Sequence, residues 1–157
     1  MFKINIKSNV HSYQLNEINN FHNNLKKIYI EGDIIIIDKK VFNLYFNKKR
    51  IKEFITIAAN EKTKEYQAIN KIINKILSKN FSKQNKIIAI GGGITQDIVS
   101  FISKILFRGV DWVFFPTTLL AQCDSCIGGK VSINFRNFKK KIGFFNPPKF
   151  IFNDTSF

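Results

Sequence analysis

Three consecutive glycines after an apolar segment are the first residues here whose type and spacing could do chemistry. Residues 87–90 are all apolar, and Gly91, Gly92 and Gly93 follow directly. Glycine lets the backbone approach a ligand closely, and the free N–H groups of a helix start suit a phosphate. The pattern predicts either a phosphate-binding strand-turn-helix or an ordinary glycine-rich connection. The helix is predicted from apolar residues at helical spacing: Ile98, Phe101, Ile102, Ile105 and Leu106.

Polar residues continue this pattern. Thr95 is predicted to cap the helix, with Asp97 in its first turn. Residues 112–115 predict a second buried strand, and polar or glycine residues follow it. Open α/β sheets bind ligands beyond the carboxyl ends of parallel strands, so we expect both glycine clusters to face one crevice. The residues after the second strand are Pro116, Thr117, Thr118, Asp124, Ser125, Gly128, Gly129 and Lys130.

The first half of the chain supplies the rest of an α/β sheet. Residues 2–7 and 13–18 alternate apolar and polar, which predicts an opening β-hairpin. Residues 33–38 hold four isoleucines, typical of a central parallel strand. A short helix over 41–52 and a strand over 54–59 are predicted next. Residues 60–64 are predicted to open a long amphipathic helix with Ile69, Ile72, Ile73, Ile76 and Leu77 on one face.

Length and composition limit the possible classes of protein. The 157 residues, 45% of them hydrophobic, fit one globular domain over 1–157. The net charge of +14 comes from scattered lysines without a nucleic-acid-binding motif, so we expect a solvated basic surface. An apolar run of eighteen residues does not occur in the sequence, and the N-terminus lacks the apolar core of a signal peptide. We therefore expect a cytoplasmic protein that binds neither nucleic acid nor membrane.

Two short motifs have alternative interpretations. Cys123 and Cys126 form a CxxC that could be redox-active or half of a zinc site, but His11 and His22 are about a hundred residues away, so two packed thiols are favoured. The segment GGKVS lacks the upstream glycine and the following Ser or Thr of a phosphate-binding loop. An ATPase is therefore excluded.

A longer set of motifs resembles a known family. GGGITQD, FRGVDWVFFPTTLLAQCDS, IGGKVSIN and IGFFNPPKFIFND resemble 3-dehydroquinate synthase and related sugar-phosphate cyclases, almost continuously over residues 87–154. The resemblance implies a Rossmann-like, mostly parallel sheet with flanking helices. It also implies NAD, a divalent metal (zinc or cobalt), and conversion of a phosphorylated seven-carbon keto acid to 3-dehydroquinate with loss of phosphate. The nicotinamide would serve as a temporary electron reservoir.

The resemblance assigns roles to individual residues. Substrate or catalytic roles fall on Asp124, Lys64, Lys130, Arg108, which would reach a phosphate in a partner subunit, and Lys140, which stands where the family pattern has Asn. Asp38 is preferred to Asp111 for the ribose, because Asp111 precedes its strand and would lie at the wrong edge of the sheet. The cofactor-binding residues implied are Asp38, Glu61, Lys64, Gly92, Gly93, Ile94, Asp97, Thr117, Thr118, Asp124, Ser125 and Lys139.

The chain ends where the resembling family continues into a helical domain. That domain carries the metal ligands, a Glu and two His, so the resemblance implies metal ligands outside this chain and a homodimer, a further domain or a partner chain. We expect residues 1–157 alone to release no phosphate from the seven-carbon substrate. The alternatives are another sugar-phosphate cyclase, a metal-dependent polyol dehydrogenase, and a non-catalytic NAD-binding module.

Overall fold

A computed structural model describes residues 2–46, 54–136 and 138–157 of the chain. Its main element is a seven-stranded sheet with the strand order β1-β2-β9-β6-β5-β3-β4. Every neighbouring pair is parallel except the hairpin β1-β2 at one edge. The strands of this sheet are β1 (Lys3–Ile6), β2 (Tyr13–Ile18), β3 (Ile34–Asp38), β4 (Phe54–Ile57), β5 (Ile87–Gly91), β6 (Trp112–Pro116) and β9 (Phe150–Asp154). The predicted Rossmann-like sheet and opening hairpin are confirmed.

Among the residues that the structure describes, four α-helices flank the sheet. They are α1 (Phe21–Ile28), α2 (Lys39–Tyr45), α3 (Tyr66–Leu77) and α4 (Gly93–Ile105). Of the helix predicted over 41–52, the part from residue 47 lies outside the described residues. Alternate residues of the central strands face opposite layers: Ile36 and Ala89 pack with α3 and α4, whereas Ile37 and Ile90 pack with α1 and α2. The central strands are thus buried on both faces, as their continuous apolar runs predict.

A separate antiparallel ribbon lies on the α4 side of the sheet. It consists of β7 (Lys130–Phe135) and β8 (Phe138–Phe145). Val131 and Ile133 of β7 are buried in the core that α3 and α4 share. The ring of Phe144 stacks on Phe101 of α4 at a centroid distance of 5.5 Å. The ribbon is therefore held along α4.

The helix predicted to open at residues 60–64 is divided in two. Residues Glu61–Lys64 form a 3₁₀ turn, and α3 begins only at Tyr66. Between them Glu65 has an extended backbone (φ −68°, ψ 140°) and forms a β-bridge with Asn134 of β7. The prediction of one long helix was wrong because pairing with a distant strand interrupts it.

Across the described ranges, 2–46, 54–136 and 138–157, every helix is too short or too polar to span a bilayer.

Candidate functional site

The glycine turn joins β5 to α4 without a side-chain cap. Gly92 is the N-cap residue, and α4 begins at Gly93. The backbone N–H of Thr117 donates to the carbonyl of Gly91 over 3.0 Å, which ties the turn to the end of β6. A Cβ on Gly92 would lie 3.0 Å from the Thr118 methyl group, so a side chain there would force Thr118 to shift by a few tenths of an ångström. Because no side chain caps α4, the backbone N–H groups of its first turn are left available at the positive end of the helix.

Two predictions about the start of α4 were wrong. Thr95 lies three residues after the N-cap, and its buried hydroxyl has no hydrogen-bond partner. A Cβ on Gly91 would overlap the Thr95 side chain, so Thr95 fills the space above the turn. Asp97 is the fifth residue of α4 and thus lies in the second turn. The helix begins earlier than the pattern predicts, because Gly92 is the N-cap residue and Gly93 is already helical.

A π-helical turn at residues Ala121–Ser125 covers the glycine turn. Gln96 of α4 donates to the carbonyl of Ser125 over 2.6 Å and accepts from its hydroxyl over 3.0 Å. A Cβ on Gly93 would lie 3.7 Å from the same hydroxyl. Thr118 caps the helical segment, since its hydroxyl accepts from Ala121 N–H over 3.3 Å. Thr118 and Ser125 therefore both border the glycine turn.

Lys64 and Asp97 form an ion pair beside this turn. The ammonium nitrogen of Lys64 lies 2.6 Å from Asp97 Oδ2, and the side chains are only 6% and 18% exposed. Asp97 Oδ1 also accepts from the backbone N–H of Ser132 over 3.3 Å. Burial raises the pKa of the Asp97 carboxyl above its usual range, and the hydrogen bond from Lys64 opposes that rise. The pair joins the 3₁₀ turn, α4 and β7.

Glu61 lies on the same 3₁₀ turn but pairs with an amide. Asn134 Nδ2 donates to Glu61 Oε2 over 2.9 Å and to the Glu61 carbonyl over 3.2 Å. The pKa of Glu61 is lowered, first by this hydrogen bond and then by the positive charges of Lys64, Lys139 and Lys140, although desolvation partly opposes them. The exposed Glu61 carboxylate is therefore oriented by Asn134, and its ionised range extends to lower pH.

The turn at Gly128 and Gly129 lies elsewhere on the α4 side of the sheet. Gly128 N–H donates to the hydroxyl of Tyr13 over 2.9 Å, and a Cβ on Gly129 would lie 2.6 Å from Pro147 N. The two glycine turns thus contact different residues, and the expectation that both face one crevice stays a prediction. Ser125 and β7 connect the two turns, because Ser125 borders the first and β7 extends from the second.

The remaining polar residues predicted for the site are mostly exposed. Asp124, Lys130, Lys139 and Lys140 are all exposed to solvent. The positive charges of Lys139 and Lys140 lower the pKa of Glu61, so this part of β8 lies near the 3₁₀ turn that carries Glu61. Lys140 has a left-handed backbone with φ +57°. A cationic rim thus borders the site.

Asp38 lies at the carboxyl ends of the parallel strands, whereas Asp111 lies at their amino ends. Asp38 ends β3 next to β5 and caps α2 by accepting from Lys40 N–H over 2.9 Å. Asp111 precedes β6 and pairs with Lys149 over 2.6 Å. The expected separation of the two aspartates is therefore present, and the ribose role of Asp38 stays a prediction. Arg108 is exposed beyond the other end of α4, about 20 Å from the glycine turn by helix length.

The cysteines are both free thiols. Cys123 is exposed and Cys126 is buried. Desolvation raises the pKa of Cys126 to about 11. The residues that the structure describes contain no group of three His, Cys, Asp or Glu side chains placed to hold a metal ion.

Three residues of the site were missed in the sequence. They are Gln96, Ser132 and Asn134, which hold Ser125, Asp97 and Glu61 in place. All three stand inside the motifs quoted above, Gln96 in GGGITQD and both Ser132 and Asn134 in IGGKVSIN. Their motif positions were the available signal, but their partners are 29 to 73 residues away in the chain.

Comparison with known proteins shows a consistent relationship. The family model of the 3-dehydroquinate synthase N-terminal region matches residues 54–157. The 3-dehydroquinate synthase of Picrophilus torridus is 44% identical over 126 residues, which are 80% of this chain and 37% of that protein. The enzyme of the same name from Campylobacter hominis is 33% identical over 162 residues, 99% of this chain and 46% of that protein. The chain therefore spans less than half the length of these curated relatives.

A solved structure also has the same fold. The 2-epi-5-epi-valiolone synthase from Streptomyces hygroscopicus subsp. jinggangensis 5008, solved with NAD+ and Zn2+ bound, superposes with a TM-score of 0.80. It is 25% identical, and the match covers 95% of this chain and 44% of that one.

Proposed function

Because this chain belongs to the 3-dehydroquinate synthase family, we propose that it is the NAD-binding part of an enzyme that converts a phosphorylated seven-carbon keto acid to 3-dehydroquinate with loss of phosphate. One observation carries the proposal: the uncapped start of α4 at Gly92 and Gly93 adjoins the buried Lys64–Asp97 ion pair. A phosphate-binding helix end thus lies beside charged groups suited to a polar ligand.

The glycine turn fits the pyrophosphate of NAD. Neither Gly92 nor Gly93 has a side chain to block a ligand, and no side chain caps the helix. Thr117, which directly follows β6, has a buried hydroxyl without a hydrogen-bond partner in the part of the chain that the structure describes. The related valiolone synthase binds NAD+. Cofactor contacts are proposed for Asp38, Glu61, Lys64, Gly92, Gly93, Ile94, Asp97, Thr117, Thr118, Asp124, Ser125 and Lys139.

Bound NAD would supply a temporary oxidation of a substrate hydroxyl to a ketone. The ketone would make the neighbouring C–H acidic enough for phosphate to be eliminated before the hydride is returned. The residues of this chain would supply binding and orientation. Exposed Lys130 and Lys140 offer positive charge for the substrate phosphate and carboxylate, and Asp124 offers an acceptor for a substrate hydroxyl. Since the described residues hold no metal-ligand group, no step is assigned to the divalent metal.

The proposed assembly is a homodimer in the cytoplasm. Arg108 is exposed at the far end of α4 from the glycine turn, and we propose that it contacts a substrate phosphate in a partner subunit. Two free thiols suit a reducing compartment. A polyol dehydrogenase and a non-catalytic module are less well supported, because the matching family model and curated relatives are 3-dehydroquinate synthases.

Calorimetric titration of the chain with NAD tests the proposal. We expect binding, and we expect Gly92→Val to weaken it at least tenfold, because the valine side chain would meet Thr118 and block the turn. Lys104→Ala, exposed near the other end of α4, is the matched control and should bind like the unchanged chain. Equal binding by Gly92→Val would reject the pyrophosphate site, and a chain that binds no NAD would reject the function.

A further inference from the structure

We propose that Asn134 is a positioning residue, whose side-chain amide holds the Glu61 carboxylate in the orientation that receives the cofactor. This inference rests on the proposed function, since Glu61 is one of the residues expected to bind NAD. Asn134 itself would not touch the cofactor. It would act through its direct hydrogen bonds to Glu61.

The contacts between the two residues are specific. Asn134 Nδ2 donates to the Glu61 side chain over 2.9 Å and to its main-chain carbonyl over 3.2 Å. One amide group therefore fixes both the carboxylate and the backbone of the same residue. An amide NH₂ has two donors, and both are used here.

The side-chain carbonyl oxygen of Asn134, Oδ1, indicates which of its polar groups accounts for an asparagine at this position. Asn134 Oδ1 is buried without a hydrogen-bond partner among the described residues, and Asn134 is only 5% exposed. An unpaired buried acceptor is unfavourable, so the acceptor does not explain the residue. Its two donor bonds to Glu61 do, and they also fix the orientation of the amide, because a flipped amide would direct an oxygen at two other oxygens.

The backbone makes Asn134 a firm support. Asn134 forms a β-bridge with Glu65, immediately after the 3₁₀ turn that carries Glu61. The turn is capped at its start, where Asn60 Oδ1 accepts from Thr63 N–H over 3.1 Å. Both residues are therefore attached to the same rigid junction, and the side chain of Glu61 has less freedom than its exposed position implies.

The charges around Glu61 favour the same state. Lys64 is on its own turn, Lys139 and Lys140 lie on β8, and Asp97 on α4 is the opposing negative charge. The hydrogen bond from Asn134 is the largest influence lowering the pKa of Glu61. Asn134 thus orients the Glu61 carboxylate and extends its ionised range to lower pH.

Asn134→Asp tests the inference with little change in shape. The new carboxylate cannot donate to Glu61 and repels it, so NAD affinity should fall at least tenfold at neutral pH. The pKa of Glu61, followed by NMR titration of its side-chain carbon, should rise. Asn70→Asp adds the same charge at an exposed position of α3 and should leave both values unchanged. Unchanged Glu61 pKa and NAD affinity in Asn134→Asp would overturn the proposal.

A double-mutant cycle guards against a merely structural effect. Asn134→Ala and Glu61→Gln should each weaken NAD binding, and together they should weaken it no more than the stronger single change, because they remove one unit. Additive losses would reject the positioning role. If the unchanged chain binds no NAD, the proposed function fails, while the Glu61 titration in Asn134→Ala still tests whether the amide controls that carboxylate.

Discussion

The ammonium group of Lys64 lies 2.6 Å from a carboxylate oxygen of Asp97, and the pair links a 3₁₀ turn to the second turn of α4 beside the glycine turn. The two residues are 33 positions apart in the chain. Their burial makes each dependent on the other, because an unpaired charge in this position would be poorly solvated. The contact therefore connects the stability of the domain to the geometry of its candidate site.

Loss of one partner of this pair should be costly. Lys64→Met leaves a buried carboxylate without its cation, and we expect the free energy of unfolding to fall by about 3 kcal/mol. Urea denaturation measures the change. The double change Lys64→Met with Asp97→Leu removes both charges and should recover most of the loss. A double variant as unstable as the sum of both single variants would show that the pair is not coupled.

The raised pKa of Asp97 predicts how its contribution depends on pH. The unfolded chain releases this proton near pH 3.9, whereas the folded chain holds it to higher pH, so the folded state binds more protons between the two values. Its contribution to stability therefore falls as pH rises through that window. Asp97→Asn should remove this decline. Urea denaturation between pH 3.5 and about 6 compares the slopes, and a parallel pair of curves would contradict the prediction.

Gly129 should tolerate a side chain less well than Gly109. Both have a positive φ, of +63° and +116°, so alanine is strained at either position. A Cβ at Gly129 would also lie 2.6 Å from Pro147 N, whereas nothing lies within 4 Å at Gly109. We expect thermal unfolding to show a loss of about 1–3 kcal/mol for Gly109→Ala and a larger loss for Gly129→Ala. Equal losses would mean that Pro147 moves freely.

Lys140 occupies a backbone conformation that favours asparagine. Its φ of +57° is left-handed, a region in which asparagine is several-fold enriched among residues other than glycine. We expect Lys140→Asn to raise the free energy of unfolding by about 0.5–1 kcal/mol, measured by thermal denaturation. Lys141→Asn, the neighbouring exposed position, is the control. A gain shared by both variants would be an effect of charge and not of backbone conformation.

The two thiols should react at different rates. Cys126 is buried and its pKa of about 11 keeps it protonated at neutral pH, whereas Cys123 is exposed. Iodoacetamide followed by peptide mass spectrometry should modify Cys123 at least tenfold faster. Comparable rates for the two residues would show that the π-helical turn opens readily. Chain unfolded in urea is the control, because there both thiols should react alike.

The sequence by itself determined the sheet and its central strands. Four consecutive isoleucines in β3 and the apolar runs of β5 and β6 specify strands buried on both faces, because a run without polar positions cannot leave one face in water. The alternation of residues 13–18 likewise predicted the hairpin strand. These patterns are local, so they can be read from neighbouring residues alone.

The tertiary structure decided which polar groups meet. It divided the helix predicted from residue 60, because Glu65 bridges to Asn134, and it moved Asp97 into the second turn, where Lys64 and Ser132 reach it. It also placed Gly128 against the hydroxyl of Tyr13, which lies 115 positions away in the chain. Such contacts join residues tens of positions apart through hydrogen bonds and ion pairs, and their geometry depends on how helices and strands pack together rather than on any periodic pattern in the chain.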